Sequence, residues 1–382
     1  MPWAIVILYL NIMAAFIVLY TPQALLVPLA AHFALSPAEV SLSLSLTVLS
    51  LAFASLLVGP LSDRWGRKPV ILLSAFLAAL AALLSALAQS WGQFLACRAL
   101  IGLCLPGVMT VSVAYIAEEV GEGGAARALG GYIAATVTGG LLSRFLSGFI
   151  GDYWGLPQAF LSSGAVMLLS ALALSRLPSP KAFQQGGSML KSYLGMLSHL
   201  KNLKLLGGFA VGFSLFFAFM AVFSYLPFYV AAPPFSLSPS HTGLLYLVYG
   251  AGIFASPLAA TWVKRFGPEK VIIIAMTGVI LANLLSLNAN LWGLILALLG
   301  ICFSNFTAQA SATAYVAVNA PRYKAGASAL YLFSYYLGGS LGAYLPGVLW
   351  LRLGWRGVLL STISMLLLGI FAIYQLSLRS KL

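Results

Sequence analysis

Twelve apolar stretches, each long enough to cross a lipid bilayer, take up most of this 382-residue chain. They fall near residues 3–20, 40–61, 69–88, 91–116, 128–150, 158–177, 205–230, 242–263, 270–287, 291–318, 326–349 and 357–376. About 20 apolar residues span the hydrocarbon core as a helix. A backbone in lipid must satisfy its own polar groups, so every stretch is expected to be helical and the fold all-α and polytopic. Only 7% of residues are charged, where a soluble domain carries roughly 25%. No polar stretch exceeds about 30 residues, so no separate soluble domain can be cut from the chain. Cys97, Cys104 and Cys302 lie inside apolar stretches. They read as small buried hydrophobes, with no disulfide, metal site or cofactor implied.

The net charge of +13 is distributed by topology. If the N-terminus is cytoplasmic, sixteen of the twenty Lys and Arg fall on the inner face. Arg352 and Arg356 fall outside, and Arg98 and Arg144 lie within spans. That asymmetry follows the positive-inside rule and places both termini in the cytoplasm. The basic charge then faces anionic lipid and is no nucleic-acid patch. Met1, Pro2 and Trp3 run straight into the first stretch without the basic segment of a cleaved signal.

The two sets of six stretches resemble each other. Residues 130–155 align without a gap on 329–354, pairing Tyr132 with Tyr331, Gly139-Gly140 with Gly338-Gly339, and Gly148 with Gly347. Trp91-Gly92 likewise matches Trp292-Gly293. A repeat of this length suggests two pseudo-symmetric six-helix bundles, 1–177 and 205–382. The linker 178–204 holds Met189, Tyr193, Met196, Leu197 and Leu200 at helical spacing, opposite Lys191 and Lys201. That pattern predicts an amphipathic helix on the inner leaflet.

Between the second and third stretches runs Gly59-Pro60-Leu61-Ser62-Asp63-Arg64-Trp65-Gly66-Arg67-Lys68. The spacing G-x-x-x-D-R-x-G-R-K at this place strongly resembles the signature of the major facilitator superfamily of secondary transporters. The second half holds a worn counterpart, Lys264-Arg265-Phe266-Gly267, with lysine where the first half has Asp63. The resemblance assigns the loop a gating role: Asp63 holds the N-terminus of the eleventh helix and closes the inner mouth. Arg67 would join Glu118 and Glu119, at the end of the fourth helix, in a charge network. The segment from Arg98 to Gly102, continuing to Pro106-Gly107, looks like a second motif of the family's drug–proton antiporters. A third antiporter motif usually includes a Gly-Pro pair in the fifth helix; here Gly139-Gly140 stands without proline.

Charges inside the spans carry the remaining information. An arginine at bilayer depth costs at least about 2.5–3.5 kcal/mol, so Arg98 and Arg144 are expected to face the bundle interior and to serve a function. Gly140, Arg144, Ser147, Gly148 and Gly151 share one helix face. The acids Glu39, Asp63, Glu118, Glu119, Glu122, Asp152 and Glu269 map to loops or helix ends, and the histidines His32, His199 and His241 are expected outside the spans. A cavity with two cations and no carboxylate favours anionic or neutral solutes over cationic ones. The polar lining expected beside Arg98 and Arg144 is Gln23, Tyr225, Tyr249, Asn305, Gln309 and Tyr335, with Tyr20, Tyr246 and Tyr336 near them.

Two readings stay open. The resemblance implies a monomeric transporter in a bacterial inner membrane that exports a small organic solute by alternating access, coupled to protons. The alternative is an organic-anion carrier or exchanger using Arg98 and Arg144, without proton antiport. An enzyme would need a cluster of acids, histidines or a nucleophile–base pair at one depth, which the sequence lacks.

Overall fold

A computed structural model describes residues 2–120, 125–178, 195–320 and 324–379. The helices are α1 (Pro2–Tyr20), α2 (Leu26–Phe33), α3 (Pro37–Trp65), α4 (Arg67–Ser85), α5 (Trp91–Val120), α6 (Ala125–Tyr153) and α7 (Leu156–Leu174). After the linker come α8 (Leu203–Ala231), α9 (Pro239–Leu245), α10 (Ala251–Phe266), α11 (Pro268–Leu285) and α12 (Leu291–Asn319). The chain ends with α13 (Lys324–Tyr344), α14 (Pro346–Leu353) and α15 (Trp355–Arg379). No strand occurs among the described residues.

Among the described residues, eleven helical segments are long and apolar enough to cross a membrane. The remaining stretch, the eleventh in chain order, is made by α13 and α14, which are parted at Leu345 ahead of Pro346. Two boundaries differ from the sequence expectation. The first span does not stop at Tyr20: a 3-10 turn (Gln23–Leu25) carries it into α2 and on to Phe33. The eighth begins at Pro239 and passes through a second 3-10 turn (Tyr246–Gly250) before α10. His32 and His241 therefore belong to the ends of spans rather than to loops. In the linker, residues 195–198 are helical and lead into a 3-10 turn, His199–Lys201. Met189, Lys191 and Tyr193 lie outside the described residues.

The chain forms two compact units. The first comprises residues 1–35, 42–186 and 237–247; the second comprises 36–41, 187–236 and 248–382. In the first unit α1 packs on α5, α6 and α7, α4 packs on α5 and α7, and α9 lies against α6. In the second, α8 is the axis, packed on α12, α13 and α15. Close helix approach inside lipid relies on small residues, and the repeat uses them alike. A side chain at Gly139 would strike the backbone of Met13 on α1, and one at Gly338 the backbone of Phe213 on α8. The paired glycines therefore do the same work in both units.

Candidate functional site

The site in the first unit begins with a break in α1. Pro22 has no N–H to return to the carbonyl of Val18 four residues back, so the helix cannot continue unchanged. Two carbonyls at the break, those of Val18 and Leu19, accept hydrogen bonds from Arg98 at 3.0 and 2.6 Å. Arg98 also donates to the Ser43 carbonyl at 3.4 Å and is 1% exposed. Its guanidinium is thus bound to backbone on α1 and α3. A buried cation held by carbonyls is satisfied, and these carbonyls in turn need no water.

Helix α6 runs along the same break. Ser143 donates to the Ile17 carbonyl at 2.7 Å, one position before Arg144. Arg144 is also 1% exposed. Its Nε donates to Gln23 Oε1 at 2.6 Å, and another guanidinium nitrogen donates to the Gly140 carbonyl. The guanidinium carbon lies 3.9 Å from the centre of the Tyr20 ring and 5.4 Å from that of Tyr246. Tyr246 belongs to the turn that follows α9, so a segment a hundred residues further along the chain supplies the second ring. Because Gln23 Oε1 must face the donor, its Nε2 points away, and that buried amide nitrogen has no hydrogen-bond partner among the described residues. The product is a donor-rich, aromatic-walled centre with an unused N–H.

At the end of α3 the signature loop forms a separate cluster. Gly66 takes φ +93°, a left-handed angle that glycine adopts without strain, and this turns the chain from α3 into α4. Arg67, on the first residue of α4, then bridges to Asp63, to Ser62 Oγ at 2.5 Å, and to Glu118 Oε1 at 3.0 Å. Asp63 keeps 41% of its side chain exposed. Glu119 is half-buried beside Glu118, Arg64 is exposed, and Lys68 is half-buried. Around Gly59 an added side chain would meet open space, so no close packing requires that glycine.

The second unit holds the other named residues. Tyr225 is fully buried and donates to the Tyr344 carbonyl at 3.2 Å, with Ser41 Oγ also at 3.2 Å. Its hydroxyl is engaged in tying α8 to the α13 end and to the start of α3. Tyr249 meets Phe223 edge-on at 4.7 Å, and Tyr335 stacks on Phe216 at 4.2 Å. Asn305, on α12, is 1% exposed, and among the described residues neither atom of its amide has a hydrogen-bond partner. Its neighbour Phe306 packs on Phe219 and Tyr249. Gln309, one turn on, is half-buried. Tyr20, Tyr246 and Ser143 complete what the charged residues alone do not reveal.

Comparison with known proteins agrees with this architecture. The profile of the Major Facilitator Superfamily matches residues 8–233 and 230–381. The chain belongs to this superfamily and is a multi-pass membrane transporter. It is similar to the inner membrane transport protein YnfM of Escherichia coli (strain K12), at 36% identity over 91% of this chain and 84% of that protein. It is also similar to the multidrug resistance protein MdtG of Klebsiella pneumoniae (strain 342), at 32% identity over 61% of this chain and 57% of the relative. Among solved structures, a mutant form of the nucleoside transporter NupG superposes with a TM-score of 0.83 at 15% identity, covering 98% of this chain and 99% of that one. The last likeness concerns the fold alone.

Proposed function

We propose that this transporter exports a small organic solute, anionic or neutral, by alternating access across a bacterial inner membrane and at the expense of a proton gradient. One observation carries the charge preference: the buried Arg144 guanidinium is set against Gln23, Tyr20 and Tyr246, with an unused Gln23 N–H beside it. Guanidinium and amide donors with aromatic walls suit a carboxylate, an enolate or a polarised carbonyl. The aromatic rings accept a planar hydrocarbon body. Arg98 belongs to this reading as a positioning residue, because it secures the break that presents Gln23. Within the second unit, taken by itself, this reading adds Asn305, whose amide has no partner among the described residues, with Tyr249, Gln309 and Tyr335 as further candidates.

Export is favoured by the similarity to a protein named for multidrug resistance. Protons have no carboxylate to ride at mid-span, since the nearest acid along α6 is Asp152, eight residues beyond Arg144. In this reading the coupling group is the Asp63–Arg67–Glu118 cluster at the inner mouth, or the solute itself. The cluster also serves as the gate, with Asp63 exchanging Arg67 for a second partner as the mouth opens and closes. Transport by purified protein in liposomes, with and without an imposed pH gradient, tests the proposal. Solute movement that follows the pH gradient supports coupling. Equal fluxes at zero and imposed gradients would leave the uncoupled organic-anion carrier.

A further inference from the structure

The worn second-half counterpart of the signature loop joins α10 to α11, and its charge balance differs from the original. In the first unit Arg67 is neutralised by Asp63 and Glu118. In the second, lysine replaces the aspartate, and three exposed cations, Lys264, Arg265 and Lys270, share one turn with a single acid, Glu269, leaving the turn net positive. Among the described residues none of their side chains has an ion pair or hydrogen bond. Arg265 lies over its neighbour, its guanidinium carbon 5.1 Å from the Phe266 ring centre.

Directly beside these cations opens an apolar groove of about 340 Å³. Trp262 and Phe266 of α10, Ile274 and Gly278 of α11, and Phe303 and Thr307 of α12 are among its walls. Gly278 keeps α11 close to Ser304 on α12, and its missing side chain deepens the groove. Ile274 and Phe266 are 68% and 48% exposed on the outer surface of the unit, where lipid would lie against a membrane span. The volume is many times the ~30 Å³ share of a water molecule, and the lining is mostly apolar.

We infer that this groove and turn form a binding site for one anionic phospholipid of the cytoplasmic leaflet. An acyl chain fills the groove between α10, α11 and α12, and the headgroup phosphate sits among Lys264, Arg265 and Lys270. Charge complementarity decides the occupant. A zwitterionic lipid satisfies the groove but leaves the excess of three cations over Glu269 without counter-charge, whereas an anionic headgroup answers both. Each basic side chain beside an anionic lipid surface is worth roughly fivefold in affinity. Three of them, less the opposing charge of Glu269, predict a preference of at least about tenfold after allowance for screening. The arginine also offers a planar fork to the phosphate, while its other face rests on Phe266.

Trp262 in the groove wall supplies the reporter. Phosphatidylglycerol or phosphatidylcholine with brominated acyl chains is titrated into the purified full-length protein in mixed micelles. Quenching of the Trp262 share of fluorescence is taken as the difference between the parent and the Trp262→Phe variant. Quenching by brominated phosphatidylglycerol is expected at a lipid fraction at least about tenfold below that needed for phosphatidylcholine. In the Lys264→Gln/Arg265→Gln/Lys270→Gln triple variant the two curves should merge, with the phosphatidylcholine curve unmoved because the groove is intact. Equal quenching by the two lipids in the parent would overturn the site. So would a preference that survives in the triple variant, since the charge would then reside elsewhere.

Discussion

The link between Arg98 and Pro22 can be tested by a double-mutant cycle. Arg98→Leu removes two strong hydrogen bonds, to the Val18 and Leu19 carbonyls, and a long one to Ser43. Bonds from a charged donor contribute about 1.5–3 kcal/mol each, so the two strong ones are worth about 3–6 kcal/mol. Leucine also relieves the burial of an arginine, about 2.5–3.5 kcal/mol on the insertion scale. The net cost is therefore modest, on the order of 1–3 kcal/mol. Pro22→Ala restores the N–H that Val18 lacks, so in the double variant this carbonyl has a helical partner again. The two substitutions should couple by at least about 1 kcal/mol, with the second losing less in the Arg98→Leu background than in the parent. Stability is read from reversible unfolding of the purified protein in mixed detergent. Solute binding is read on the same samples, and should not recover, because a straightened α1 carries Gln23 away from Arg144. Additivity within about 0.5 kcal/mol would refute the claim that Arg98 is there to satisfy the break.

Other consequences follow from the same geometry. Asn305→Leu replaces a buried amide without partners by an apolar side chain of similar size, so stability should hold or rise by about 1 kcal/mol while transport falls; a thermal-unfolding and uptake pair on one preparation checks both. Gly139→Leu and Gly338→Leu should each abolish folded expression, because both side chains would meet backbone atoms of the neighbouring helix; a folded, monodisperse Gly338 variant would contradict the shared role of the repeat. Asp63→Asn weakens one arm of the Arg67 bridge and should shift the population toward inward-open states. Spectroscopic distances across the inner mouth report that shift, and unchanged distributions would deny Asp63 a part in gating.

Much of this fold could be read in the chain because lipid leaves few options. Apolar runs fix the helices, and a glycine such as Gly139 with its copy Gly338 marks where two of them touch. The ends were harder. The sequence reading ends the first span at Tyr20, yet the chain resumes as α2, and at the break a guanidinium from a residue 80 positions away caps the Val18 carbonyl. No local pattern encodes a partner so distant. Arg144 was legible for the opposite reason, since a charge in an apolar run needs an explanation of its own. Its partner Gln23 was legible beside it, but Tyr246 acquires meaning only through the packing of α9 on α6. Tyr225 shows the limit of composition: its hydroxyl bonds to Ser41 and Tyr344, and that use cannot be told from a solute contact in sequence.

The charge preference of the Arg144 centre can be measured most directly by competition. Matched anionic, neutral and cationic aromatic compounds of similar size are competed for binding to the purified protein, in the parent and in Arg144→Leu. At an effective dielectric near 20, unit charges about 4 Å apart interact by on the order of 4 kcal/mol; a quarter of that is about fivefold in affinity. The account predicts that anions outcompete matched cations by about fivefold or more in the parent and that this margin vanishes in the variant. Tighter binding of the cations to the parent protein would contradict it.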